Sequence, residues 1–138
     1  MEFAVTPFVQ AGPLRFGMTR SEVRSALPGD FHSFRRTPRA EECDHFEALG
    51  LFAYYDADGG LEAVEFTRPA MPTLDGARLL DLTVGDASRS LQAITDPEDD
   101  ACLLASDHGI GFWVPDQDDG PRSRAESVIV HRAGYYDD

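Results

Sequence analysis

The sequence predicts an α+β fold. Two helix-plus-β-hairpin repeats, related by an approximate internal twofold, share one antiparallel sheet with both helices on one face. Three observations predict this. Met18-Thr19-Arg20-Ser21-Glu22-Val23 returns 64 residues later as Leu82-Thr83-Val84-Gly85-Asp86-Ala87. Glu62-Ala63-Val64-Glu65-Phe66-Thr67-Arg68 returns at the same offset as Glu126-Ser127-Val128-Ile129-Val130-His131-Arg132. Between these anchors, Gly50-Leu51-Phe52-Ala53-Tyr54-Tyr55 corresponds to Gly109-Ile110-Gly111-Phe112-Trp113-Val114. All 138 residues are expected to form one domain, with repeat units at about 8–68 and 72–132.

Taken in order, residues 1–17 read as extended chain ending in a Gly12-Pro13 turn. Thr19 with Glu22 forms a capping box, and Met18 with Val23 a hydrophobic staple. They start a helix over 20–27 that Pro28-Gly29 stops. A strand follows at 31–37, then a polar loop. Asp44 and Glu47 have capping-box spacing, and Gly50 suits a left-handed terminus, so 44–50 reads as one helical turn. Alternation over 51–55, a Asp56-Ala57-Asp58-Gly59-Gly60 turn and a return over 61–68 make a hairpin. Residues 69–72 link the copies. Thr83 with Asp86 starts a second helix over 84–94. A strand at 101–105 precedes a second hairpin, 110–114 with 126–132, whose loop at 115–124 is long, acidic and expected to be mobile. The tail, 133–138, carries Tyr135 and Tyr136.

Composition narrows the function classes. Hydrophobic residues make up 42% and aromatic residues 10%, enough to bury a core. No apolar run is long enough for a membrane span, and the N-terminus lacks a signal-peptide pattern. A cytoplasmic protein with reduced Cys43 and Cys102 is expected. The net charge is −13, and all 12 basic residues are arginine. Residues 1–69 carry 11 acids and 7 arginines, and residues 70–138 carry 14 and 5. Such a surface repels nucleic acid and anionic membranes and attracts a basic partner.

Motifs for chemistry are absent. Asp56-Ala57-Asp58-Gly59-Gly60 and Asp116-Gln117-Asp118-Asp119-Gly120 begin like calcium loops. Glycine at the fifth position, where a calcium loop has an oxygen ligand, makes them simpler to read as turns. Cys43-x-His45 lacks further zinc ligands at recognisable spacing. Ser106-Asp107-His108 are adjacent and cannot point at one another as a triad must. No phosphate loop, dinucleotide fingerprint or Gly-x-Ser-x-Gly occurs. No catalytic residue, metal or cofactor is expected.

The repeat also assigns strand faces. Val64, Phe66, Val128 and Val130 point inward, with Leu51, Ala53 and Tyr55 and their counterparts. Phe52, Tyr54, Trp113, Ile129 and His131 point to the side that the helices leave bare. That side is either an exposed recognition surface or lies beneath a loop or the Tyr135-Tyr136 tail. The expected function is non-enzymatic binding of a basic protein. The aromatic face would be the contact, with Glu65, Asp116, Asp118 and Asp119 at the rim. The alternative is a small-molecule-binding protein or hydrolase with its site between the repeats.

The turn Gly17-Met18-Thr19-Arg20-Ser21-Glu22-Val23 followed by a hairpin resembles the unit of the outer-membrane assembly lipoprotein BamE. Its tandem duplication resembles the β-lactamase inhibitor protein of actinomycetes. That resemblance implies an open sheet face that binds a target protein. The chain is also similar to small acidic uncharacterised proteins of high-GC bacteria, some immunity-like. This implies neutralisation of a nuclease-like toxin.

Overall fold

The computed structural model describes residues 1–135, and its two helices begin where their capping residues place them. Thr19 caps α1 (Arg20–Ala26). Its hydroxyl accepts from the Glu22 N–H at 3.2 Å, and the Glu22 carboxylate accepts from the Thr19 N–H at 3.1 Å. Thr83 caps α2 (Val84–Leu91) through the same reciprocal pair with Asp86, both bonds 3.1 Å. Each box satisfies two N–H groups at the start of its helix. Thr83→Ala is expected to lower stability by about 1 kcal/mol in urea denaturation. The second helix stops earlier than its pattern suggests. Gln92 turns left-handed at φ 55°, and Ile94 enters a strand.

Thirteen strands are described: β1 (Glu2–Thr6), β2 (Gln10–Ala11), β3 (Leu14–Arg15), β4 (His32–Phe34), β5 (Cys43–Phe46), β6 (Leu51–Tyr55), β7 (Leu61–Thr67), β8 (Met71–Leu74), β9 (Ala77–Arg78), β10 (Ile94–Asp96), β11 (Asp99–Ala105), β12 (Ile110–Trp113) and β13 (Ser127–His131). They form a five-stranded sheet, β3-β2-β1-β8-β9, and an eight-stranded sheet, β10-β11-β12-β13-β7-β6-β5-β4. Neighbours are antiparallel except β1 and β8, which run parallel.

This overturns the expected α+β arrangement of two helix-plus-hairpin repeats sharing one sheet. The described residues are mostly β, with two sheets and two short α-helices. The chain read as plain extended or linking, 1–17 and 69–72, contributes strands to the smaller sheet. The turn expected at 44–50 is strand β5 followed by one 3-10 turn (Glu47–Leu49), with Gly50 left-handed after it. Period-two alternation is the sequence signal for a strand; β2, β3 and β9, two residues each, are too short to show it, whereas β1 does alternate and only its partner is hidden. The β1–β8 pairing joins Glu2 to Met71, a contact that no local pattern encodes.

The core lies against one face of the larger sheet. Leu51, Ala53, Val64, Phe66, Val128 and Val130 project there and are buried. The same cluster takes Val23 from α1, Ala87 and Leu91 from α2, and Phe3, Val5 and Leu74 from the smaller sheet. The Phe3 and Phe66 rings lie 4.9 Å apart between centroids. Helices and smaller sheet thus cover one side, and the opposite face carries only a minor cluster around Cys43, Tyr54 and Ala63. No helix among the described residues is long and apolar enough to cross a membrane.

One polar group is built into the covered side. Asp44 on β5 is fully buried and takes the two-pronged guanidinium of Arg24 from α1, both contacts 2.9 Å. Ser33 on β4 donates to it at 2.6 Å and Tyr55 on β6 at 2.9 Å. Each carboxylate oxygen therefore accepts two bonds, which uses its full capacity.

Candidate functional site

The face without helices is built by register. Directly paired residues share a face, and the pairings run one row across all eight strands. Its members are Ile94, Leu104, Gly111, Ile129, Glu65, Phe52, His45 and His32. Glu65 and Ile129, which are 64 positions apart in the chain, face each other at the β7–β13 seam. The two wings on either side of this seam differ.

The β4–β6 wing is closed by its own side chains. His45 stacks on Phe52 at 4.0 Å, nearly parallel, and Phe34 meets Phe52 edge-on at 6.1 Å. The Arg36 guanidinium lies 4.2 Å from the centre of the Tyr54 ring, a cation–π contact. Tyr135 stacks on His131 at 5.3 Å, and Phe8 meets His131 edge-on. Tyr54 and His131 are consequently 5% and 6% exposed. Burial, then the Glu65 carboxylate, pushes the Tyr54 phenol far above its ordinary pKa. Burial pulls the His131 imidazole below its ordinary value, and burial together with the neighbouring His32 does the same to His45.

The β11–β13 wing is open. Gly111 stands in the row between Leu104 and Ile129 and has no side chain to fill its place. A concavity of about 320 Å³ results, walled by Glu65, Cys102, Leu104, Phe112, Trp113, Ser127 and Ile129. Trp113 is 44% exposed at its edge, and Ile94, 66% exposed, carries the apolar row on to the outermost strand. At one wall Glu65 accepts from the Tyr54 hydroxyl at 2.5 Å through Oε1 and from Ser127 at 2.7 Å through Oε2.

Acids gather beside it. The Gln117 amide donates to the Asp100 carbonyl at 2.7 Å. This bond ties the β12–β13 loop, with Asp116, Asp118 and Asp119, to the β10–β11 hairpin, whose strand ends carry Asp96, Asp99 and Asp100. None of these carboxylates pairs with an arginine among the described residues. The loop expected to be mobile is anchored at its far end, where the Val84 N–H donates to the Ser123 carbonyl at 2.8 Å. A 3-10 turn, Gly120–Arg122, precedes that anchor.

The expected contact residues are thus divided. Trp113 is exposed at the concavity, and Glu65 and Ile129 line it. Phe52 lies half-buried in the aromatic stack, and Tyr54 and His131 are covered. Asp116, Asp118 and Asp119 are exposed on the loop that follows β12. Tyr136 lies outside the described residues. Sequence reasoning passed over Cys102, Leu104, Gly111 and Ser127 as site residues. The alternation of strand 101–105, had its faces been assigned, would have placed Cys102 and Leu104 there.

The Cys102 thiol is pushed up to about 11 by burial, then by its hydrogen bond to Asp99 and that residue's charge. At neutral pH it is protonated and a poor nucleophile, and no imidazole lines the concavity. Burial likewise pushes up the Cys43 thiol, which donates to the Phe34 carbonyl. Both cysteines are free. Among the described residues, no three His, Cys, Asp or Glu side chains converge to hold a metal.

No family model and no curated protein matches the chain. Its fold is similar to the crystal structure of the uncharacterized protein YfeY from Escherichia coli. The TM-score is 0.54 at 13% identity, over 96% of this chain and 100% of that one. At this identity the likeness shows the fold alone.

Proposed function

We propose that the protein is a cytoplasmic, non-enzymatic binding module that docks a basic protein on the β11–β13 wing of its open sheet face. Neutralising a basic toxin, as an immunity protein does, is the role that fits such a module. One observation carries the reading. An exposed tryptophan and an apolar hollow adjoin strands and a loop whose carboxylates have no arginine partners among the described residues. Interfaces concentrate their affinity in buried aromatic anchors and steer encounter with charge at the rim.

The test is capture from host lysate, followed by kinetics with the purified captured protein. Trp113→Ala is expected to raise the off-rate roughly 30-fold, equivalent to about 2 kcal/mol, with the on-rate little changed. Replacing Asp99, Asp100, Asp116 and Asp118 together by Asn should slow association about tenfold at low salt and flatten its salt dependence. A captured partner that binds the Trp113→Ala protein with unchanged kinetics would place the contact elsewhere.

A further inference from the structure

We infer that the concavity beside Trp113 receives an arginine side chain of the partner, with its guanidinium on Glu65; this rests on the docking reading above. Two carboxylates in the same sheet differ in how fully they are bonded. Asp44 is saturated by four donors, two on each oxygen, and two of the four come from one arginine. Glu65 has one hydroxyl on each oxygen, from Tyr54 and Ser127, and no arginine among the described residues. A carboxylate has about four acceptor sites. Glu65 therefore keeps one on each oxygen, and its orientation is already set by the two hydroxyls. That is the pattern a two-pronged guanidinium requires.

The surroundings select among cations. Leu104 and Ile129 offer an apolar wall for the three-carbon stem, and the hollow above Gly111 gives it room. Trp113 lines the same concavity, and an indole ring attracts a planar cation. A lysine ammonium is more strongly hydrated and cannot make the parallel pair of bonds. Among the described residues no arginine pairs with Glu65. The nearby Arg36 lies over Tyr54 on the closed wing. The two hydroxyls leave Glu65 half of its acceptor capacity and all of its charge. An incoming guanidinium completes Glu65 as Arg24 completes Asp44.

The experiment is a titration of the ¹⁵N-labelled full chain with N-acetyl-arginine methylamide, its lysine analogue and its norleucine analogue. The Trp113 indole N–H and the backbone amides of Gly111 and Ser127 report binding. The arginine probe is expected to give saturable shifts with a dissociation constant on the order of 1 mM, as suits a ligand of this size. Glu65→Gln should weaken it at least tenfold, and the lysine analogue should bind several-fold more weakly. If Glu65→Gln disturbs folding, Gly111→Val provides the second variant. It fills the hollow, leaves Glu65 and its donors in place, and should abolish the shifts.

Absence of shifts at these sites up to about 50 mM, well above the expected constant, would overturn the inference. So would equal binding by Glu65→Gln, or equal binding of the norleucine analogue. The docking reading fails separately. If Trp113→Ala releases the captured partner while Glu65→Gln holds it at full strength, docking stands and the arginine is wrong. If neither variant affects the partner but the arginine probe binds through Glu65, the pocket is real and the partner sits elsewhere.

Discussion

Asp44→Ala is expected to lower the unfolding free energy by about 4 kcal/mol, the range for breaking a buried ion pair. The change strips Arg24 of its carboxylate and leaves the Ser33 and Tyr55 hydroxyls without their acceptor. It also detaches α1 from β5. Arg24 keeps a route to water, since about a third of its side chain is exposed, but Asp44 has none. Arg24→Met should therefore cost a similar amount by leaving the carboxylate buried without its cation. Urea denaturation at neutral pH measures both.

The same site sets an acid dependence. Burial alone would raise the Asp44 pKa, but the hydrogen bonds from Arg24, Ser33 and Tyr55 outweigh it and hold the group below its ordinary value. A carboxyl depressed on folding contributes stability that is present above its unfolded pKa of about 3.9 and is lost as pH falls through the folded value. In Arg24→Met the depression is removed, so the acid-induced loss of stability should become shallower below about pH 4. An unchanged acid profile in that variant would show that Asp44 is not the titrating group.

Gly50→Ala is expected to cost roughly 3 kcal/mol, from left-handed strain and overpacking together. Gly50 sits at φ 70°, and a Cβ there would run into the Thr67 carbonyl oxygen. The close approach has a structural cause: the Thr67 N–H donates to the Gly50 carbonyl at 2.8 Å, which closes the β6–β7 pair at its end. Gly109 repeats the arrangement before β12. There φ is 66°, the His131 N–H donates to the Gly109 carbonyl, and a Cβ would lie 2.9 Å from the His131 carbonyl oxygen. Gly109→Ala should behave alike but less severely. Gly29→Ala is the control, since its φ is also positive but nothing lies within 4 Å of the added carbon. It should show the conformational cost alone, about 1–2 kcal/mol.

The sequence by itself determined what short-range physics encodes. Thr19 with Glu22 and Thr83 with Asp86 start two helices because a capping box needs only four residues to close. Alternation over 51–55 and 61–67 made a hairpin and sent Val64 and Phe66 inward, because the period of a strand is two whatever it pairs with. Gly50 announced a left-handed turn. The tertiary structure alone decided the rest. A strand as short as Gln10–Ala11 carries no period, and the two local halves of the smaller sheet join only where β1 meets β8, distant in the chain. Asp44 reads locally as a helix cap, yet it is a buried ion-pair member because α1 brings Arg24 over β5. Arg36 and Tyr135 close one wing of the open face, and Gly111 hollows the other. Burial of a side chain depends on what arrives from elsewhere in the chain, and face assignment from alternation leaves that undetermined.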